Sequence, residues 1–443
     1  MNILFVHPNP DLSKTGGDKR GFFHKVIGKM NVLCPPLTFP MLSAVTPRKH
    51  KVEMVDECHQ KIDFEKNYDL VGITAMTHEI IRAYEIADEF RKRGAKVVIG
   101  GPHASALPEE AKQHADSVVI GEAEGIWFKL LEDLENGRLK SFYFQKKPPE
   151  LTGLPAPDRN ILNRLILVNG VQSSRGCPYR CKYCFVGNST HGRVFRKRPV
   201  EYVTGEIKRV RQKLINFYDT SMTIDTEYTK TLCKALKEEV NKKFIFLGNI
   251  NTLCKDDELL KLSREAGCIQ WNIGFESISQ ESLREVNKNT NKVKEYYKAV
   301  KKIHDHGMFV HGFFMFGFDH DKRTIFEDTL EFIRKAEIDS ADFSILTPFP
   351  GTPLYDKLLK EGRILTKDWS RYTYQNIVFE PKNFTKEEIL SEYKKLHRIF
   401  YSYHEIAKRF VKAIRRGILN FHPFLFMIDN VFTRFYILER IKS

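Results

Sequence analysis

Three cysteines crowd into the stretch SSRGCPYRCKYCFVGN (Ser173 to Asn188), at Cys177, Cys181 and Cys184, with a C-x3-C-x2-C spacing and no fourth cysteine nearby. Three thiolates are one short of a closed tetrahedral zinc site and one short of a fully ligated iron–sulfur cube. A [4Fe–4S] cube held by three cysteines keeps its fourth iron open to a small chelating ligand, and an open iron is suited to chemistry. Gly176 permits an unusual turn before the first cysteine, and the rings of Tyr183 and Phe185 can shield a cluster. The same spacing also admits a zinc knuckle completed by a distant ligand such as His191 or Cys233.

The stretch follows a short apolar run, and from about Val168 strand and helix patterns alternate: GVQSSRG, INFYDTSMTI, FIFLGN, IQWNIGFE, VHGFFMFGF and DFSILTPFP. That rhythm suits a parallel barrel or part-barrel, whose catalytic groups lie in the loops after the strands. Ahead of it, strands are expected at 2–7, 51–56, 70–75, 96–101 and 117–122, with a helix over 78–95 ending at Gly94. Short Val- and Ile-rich runs interleaved with helix make a doubly wound parallel α/β domain, which binds ligands beyond the carboxyl ends of its strands. Four prolines in 145–160 mark a linker. The expected division is 1–140, a linker at 141–165, a barrel core at 166–365 and a basic helical region at 366–443.

A chain of 443 residues with 42% hydrophobic and 29% charged residues reads as globular, with more than one core. MNILFVHPNP reads as a first strand, without a basic leader or cleavage site, and no run reaches the ~18 apolar residues of a spanning helix. Eight scattered cysteines argue for reduced thiols or metal ligands, and the cytoplasm is the expected compartment. A net charge of +15 favours an anionic partner without saying which.

RGCPYRCKYCF resembles the signature of the radical S-adenosylmethionine (SAM) superfamily, including the aromatic Tyr183 between the second and third cysteines. The resemblance implies that SAM chelates the open iron, and that an electron from the cluster cleaves SAM to a 5′-deoxyadenosyl radical that takes hydrogen from an unactivated carbon. INFYDTSMTID resembles the segment holding SAM's amino group, through Asp219, although relatives often carry a second acid where this chain has Thr220. NIGFESISQESL resembles the segment near the SAM ribose and carboxylate, through Glu276 and Ser277. HGFFMFGFDHD resembles the strand beside the adenine, with Gly312 and Gly317 allowing close approach. Without the resemblance, these glycines would merely end strands and Glu276 would pair with a surface lysine.

Residues 1–140 resemble the cobalamin-binding (Rossmann-like) domain carried by a subset of the superfamily. Thr74 stands at the start of the segment equivalent to S-x-L, and Gly100 and Gly101 at the G-G pair, where backbone cradles the cofactor's nucleotide tail. GGPHAS and GEAEGIW are typical of the subset. No D-x-H-x-x-G occurs over residues 8–30, and His59 has the wrong setting, so no histidine would ligate cobalt; the subset commonly lacks it too. The resemblance implies cobalamin as a third cofactor beside SAM and the [4Fe–4S] cluster. Methyl transfer would use two SAM molecules, one to methylate cobalt and one to make the radical. Ring-forming and rearranging enzymes share the domain pair, among them hopanoid-biosynthesis enzymes and the bacteriochlorophyll cyclase. A flavodoxin- or ferredoxin-type reductant is implied.

LTPFPGTPLYDKLLKEGRI and DWSRYT resemble the same subset, especially members acting on polycyclic lipids. Residues 386–443 hold twelve Lys/Arg against six Asp/Glu. Lys408, Arg409, Lys412, Arg415 and Arg416 interleave with apolar residues before an uncharged run from Gly417 to Ile428. Such a segment either lies on an anionic membrane surface, as peripheral contact through 407–443 with a lipid-like or other small hydrophobic substrate, or forms a helical cap on the barrel. Two rivals remain. A tRNA-modifying methylthiotransferase needs three more front-domain cysteines, where this chain has Cys34 and Cys58, and basic charge alone does not argue for nucleic acid. A corrinoid- or cluster-binding sensor without turnover would produce no 5′-deoxyadenosine.

Overall fold

The computed structural model describes residues 1–10, 35–162, 166–417 and 423–435. Most of residues 8–30, where D-x-H-x-x-G would stand, Cys34, and parts of the 407–443 tail lie outside the described residues.

Six strands build the front sheet: β1 (Asn2–His7), β2 (Lys51–Asp56), β3 (Leu70–Thr74), β4 (Lys96–Gly100), β5 (Ser117–Ile120) and β6 (Phe142–Phe144). Their order is β2-β1-β3-β4-β5-β6, and every pairing is parallel. The edge strand β6 lies in the segment read as linker; three residues carry too short a pattern to register as a strand. Several strands stop one or two residues earlier than expected. Ala75, Gly101, Gly121 and Glu122 leave the sheet to form its upper loops, and Gly101 and Gly121 take φ of 99° and 98°. The expected helix runs Ile80–Lys92, with its first turn tightened to a 3₁₀ turn at Thr77–Glu79. Its Ile80, Ala83, Tyr84, Ala87 and Phe90 recur at helical spacing and are buried against the sheet.

The second sheet contains β7 (Val168–Val171), β10 (Leu214–Phe217), β11 (Lys243–Gly248), β12 (Cys268–Glu276), β13 (Phe309–Phe316) and β14 (Ser340–Ile345). They run parallel in chain order from β7 to β14, making a six-stranded partial barrel. Between β7 and β10 a short antiparallel hairpin, β8 (Ser174–Arg175) with β9 (Arg196–Lys197), brackets the cysteine loop. An aromatic layer of Phe217, Phe246, Trp271, Phe275, Phe314 and Phe316 fills the side covered by helices.

The segment after β14 straps the two sheets together and is largely non-helical through residue 384. Tyr355, Trp369, Tyr372 and Val378 join the front domain's core, and Trp369 Nε1 donates to Glu110 at 3.0 Å. Helices Lys386–Phe400 and Tyr403–Arg415 then pack on the barrel. Four of the five basic residues singled out in the tail are engaged within the protein: Lys408 with Glu405, Lys412 with Glu337, Arg416 with Asp339, and Arg409 with Asn430 and the Phe400 ring. Among the described residues no helix is long and apolar enough to cross a membrane.

Candidate active site

Hairpin β8–β9 delivers the cysteine loop to the carboxyl end of the barrel. Gly176 has φ of 90°, and a side chain there would strike the Val194 carbonyl at 2.0 Å. Thr220 Oγ1 donates to the Gly176 carbonyl at 2.6 Å. Asn188 Nδ2 donates to the carbonyls of Cys181 and Cys184 at 2.8 and 2.7 Å, closing the loop on itself. Cys181 is buried, and Cys177 and Cys184 are half-buried. Burial raises the Cys177 thiol and pushes that of Cys181 up to about 11. These two thiols are therefore protonated when free, and metal uptake would release their protons.

The two candidate zinc ligands are engaged away from the thiols. Cys233 is sealed in the barrel core, where burial pushes it to about 12, and His191 Nε2 meets the Gln145 carbonyl at the front domain. A donor set of three soft sulfurs, with neither His191 nor Cys233 free to complete it among the described residues, fits a cube with one open iron.

Glu276 ends β12 just past a register shift between Gly274 and Glu276, with φ of 63°. A non-glycine residue there costs on the order of 1–3 kcal/mol, a strain typical of functional positions. Lys288 Nζ sits 3.1 Å from Glu276 Oε1. Burial alone would lower the Lys288 ammonium, but Glu276 and the nearby Cys181 hold it charged, above its usual range. The pairing expected with a surface lysine is thus a half-buried one beside the cysteines. The buried Tyr183 phenol meets Glu276, and burial followed by that carboxylate holds it un-ionised. The loop carrying Lys288 also grips the cysteine loop: Lys182 N donates to Val286 O at 2.9 Å, and Asn287 Nδ2 to Arg180 O at 3.0 Å.

Lys288 and Tyr374 are the residues that sequence reasoning missed. Tyr374 has φ of 64°, stands edge-on to Phe349 at 4.9 Å, and interacts with Cys184 and Glu276. Burial pushes its phenol to about 12. The polar run VNKNT was the only signal for Lys288, and nothing in RYTYQN distinguishes Tyr374.

Four further expected residues are held by contacts within the protein. Asp219 is buried and both oxygens are used: Oδ2 accepts from Ser173 N at 2.9 Å, and Oδ1 from the Ser173 and Ser174 hydroxyls. It therefore braces the base of the cysteine loop. Ser277 Oγ accepts from Ser279 N at 3.0 Å and shapes the turn after β12. Gly312 lies on the helix-covered side, where a side chain would meet the Phe314 ring at 2.7 Å, because strand alternation turns His311 and Phe313 to the other face.

Gly317 turns the chain after β13 with φ of 105°, and its N–H and that of Phe318 donate to Asp321 Oδ2 at 2.9 and 3.1 Å. Asp321 is fully buried, and burial pushes its carboxyl up to about 6. A raised native value stabilises fully below about 3.8, the unfolded value, and that contribution is lost as pH rises through about 6; two units amount to about 3 kcal/mol. Asp321→Asn keeps one acceptor for both N–H groups and can donate to Ser282 Oγ. The variant is expected to match or exceed wild type in anaerobic urea unfolding at pH 8 and to lose that advantage near pH 4. Parallel pH profiles would refute the assignment.

At the front domain, Thr74 and Gly100 are register partners at the ends of β3 and β4. A side chain on Gly101 would come within 2.8 Å of Thr74 Oγ1 and 2.9 Å of Ala75 O. The loops after β3 and β4 thus meet as a ledge of close-packed backbone at the carboxyl edge, the side on which doubly wound domains bind ligands. Farther along that edge, His7, Asp56 and Cys58 bring donor atoms within 4.8 Å of one another, each also engaged with other protein groups.

Family models match the radical SAM superfamily at residues 171–333, the B12-binding domain at 24–128, and a domain of unknown function, DUF4070, at 352–423. The bacteriochlorophyllide d C-8(2)-methyltransferase of Chlorobaculum tepidum is 34% identical, covering 83% of this chain and 86% of that protein. The chain belongs to the cobalamin-binding radical SAM methyltransferase family. The C-12(1)-methyltransferase of the same organism is 31% identical, covering 90% of this chain and 89% of that one. Among solved structures, the radical SAM methyltransferase TsrM of Kitasatospora setae, with cobalamin and [4Fe–4S] cluster bound, superposes with a TM-score of 0.62 at 17% identity over 81% of this chain and 75% of that one, a likeness of fold. The chain is thus a radical SAM enzyme of the C-methyltransferase class that uses a [4Fe–4S] cluster, SAM and cobalamin. The methylthiotransferase and sensor readings are not favoured.

Proposed function

We propose that this family member methylates an unactivated carbon of a large hydrophobic ring system, of tetrapyrrole or polycyclic-lipid type. The observation that carries the reading is the likeness to bacteriochlorophyllide methyltransferases along 83% or more of the chain. When bound, the cluster and SAM supply a hydrogen-abstracting radical and cobalamin supplies the methyl carrier.

The chain's own residues have separable tasks. Cys177, Cys181 and Cys184 ligate three irons. Glu276 and Lys288 present a fixed pair of opposite charges to the amino-acid end of SAM, which carries the complementary pair. Tyr183 and Tyr374 exclude water from the reacting side, while Thr74, Gly100 and Gly101 receive the cobalamin tail. Asp219, Ser277, Gly312 and Gly317 keep these groups in place. The domain limits follow the sequence reading, with the front unit extended through Phe144. A flavodoxin- or ferredoxin-type protein supplies electrons, and exposed Phe410, Val411 and Ile414 on the helix Tyr403–Arg415 support peripheral contact with a membrane holding the substrate.

The test is anaerobic purification of the full chain from cobalamin-fed cells, followed by assay with SAM, reduced flavodoxin and a bacteriochlorophyllide or hopanoid offered in liposomes. About four irons and one cobalt per chain are expected, with a methylated product, 5′-deoxyadenosine, and protein floating with the vesicles. Iron without cobalt would sink cobalamin-borne methyl transfer, and protein left at the bottom of the gradient would sink the membrane contact alone.

A further inference from the structure

One ionic rung joins the cysteine loop to the front domain. Arg175 and Arg196 are register partners across hairpin β8–β9, so they project from the two ends of the loop that carries the cysteines. Both reach Glu122, two residues beyond β5. Arg175 Nη1 lies 2.9 Å from Glu122 Oε2, Arg196 Nη1 lies 3.1 Å from the same oxygen, and Arg196 Nη2 pairs with Oε1. Arg175 Nη2 takes Glu124 Oε1 at 2.8 Å, and Arg196 Nη1 also donates to Pro149 O at 2.7 Å. All three side chains of the rung are at least four-fifths buried. Burial would raise the Glu122 carboxyl, but Arg196 and Arg175 hold it below the usual carboxylate range, so it stays charged.

A second contact secures the far side of the loop. The His191 ring lies against Gly121, where a side chain would come within 2.7 Å, and Nε2 meets the Gln145 carbonyl beyond β6. The loops after β3, β4 and β5 form one sheet edge. Gly101 and Glu122 therefore belong to one edge, the first on the cobalamin ledge and the second on the cysteine hairpin.

We propose that Glu122 is a positioning residue: its carboxylate locks the cysteine hairpin to the cobalamin-binding edge and keeps the two cofactors at one spacing. Bidentate arginine–carboxylate pairing suits this role, because it fixes direction as well as distance. A bridge serving stability alone would loosen the hairpin without altering the relation between the cofactors.

The test uses Glu122→Gln in the full chain loaded with both cofactors, whose iron and cobalt contents are measured first. A wild-type chain without cobalt would defeat the cofactor assignment and leave the variant comparison unread, so the two failures are distinguishable. Hydrogen exchange is then followed in peptides covering 121–125 and 174–197, and the cob(II)alamin EPR signal is power-saturated with the cluster reduced. Exchange roughly tenfold faster in both peptides, together with a changed enhancement of cobalt relaxation by the cluster, is expected. Unchanged relaxation overturns the proposal, whether or not exchange rises. Should Glu122→Gln lose its cofactors, Arg196→Lys, which keeps the charge but loses the fork, is read by the same measurements with the same two outcomes.

Discussion

Cys181→Ser is expected to lower iron from about four per chain to under one and to reduce 5′-deoxyadenosine formation at least roughly a thousandfold, the equivalent of about 4 kcal/mol of barrier. The substitution removes one atom's identity and almost no volume. Cys181 is the buried member of the triplet, and its carbonyl, which accepts from Cys184 N and Asn188 Nδ2, is untouched. The loop should therefore keep its shape while losing a soft ligand, since a serine hydroxyl is hard and ionises far less readily than a thiol. Cobalamin content should stay near wild type, because its ledge lies on the other sheet. Iron content and 5′-deoxyadenosine measured together decide the matter: a variant retaining both would remove Cys181 from the ligand set. One zinc per wild-type chain with no reducible cluster would instead revive the zinc knuckle.

The sequence made the cysteine loop legible because spacing alone carries the chemistry: C-x3-C-x2-C after a strand leaves few alternatives. Both parallel sheets were also readable, since strands covered on both faces are written as short Val/Ile/Phe runs. Residues whose roles depend on where a side chain points were harder to read. Gly312 and Phe313 are neighbours in sequence and lie on opposite sides of β13, so a motif match could not say which faced the cofactor. Asp219 occupies the expected strand end, but two serines that precede the cysteines consume its carboxylate. Lys288 reaches the site from a loop twelve residues past Glu276, and Tyr374 from the strap after β14. Neither distance nor direction is encoded locally, so only the folded chain brings them to the cysteines. The interdomain rung was half visible: GEAEGIW stood out as a motif, while nothing in the sequence ties it to Arg175 and Arg196.

Gly101→Ala is expected to weaken cobalamin retention roughly 10- to 100-fold while leaving iron at the wild-type level; that range corresponds to about 1.4–3 kcal/mol. Gly101 has φ of 99° and ψ of −177°, a region open essentially to glycine alone. Any side chain adds strain on the order of 1–3 kcal/mol. It also brings a carbon within 2.8 Å of Thr74 Oγ1 and 2.9 Å of Ala75 O, so the loops after β3 and β4 must separate. Those loops form the proposed ledge, and a shift there acts on the bound tail before it reaches the barrel. Gly137→Ala supplies the control. Gly137 also has a positive φ, 66°, with nothing within 4 Å of an added carbon, so it carries a milder left-handed strain away from the ledge. Cobalt retained after gel filtration should separate the two variants, with Gly137→Ala holding close to one per chain and Gly101→Ala little. Equal retention would show that backbone strain alone, or a different surface, governs the cofactor, and the ledge would have to be reassigned. Loss of iron together with cobalt in Gly101→Ala would mean that the front-domain loops and the cysteine hairpin yield as one body.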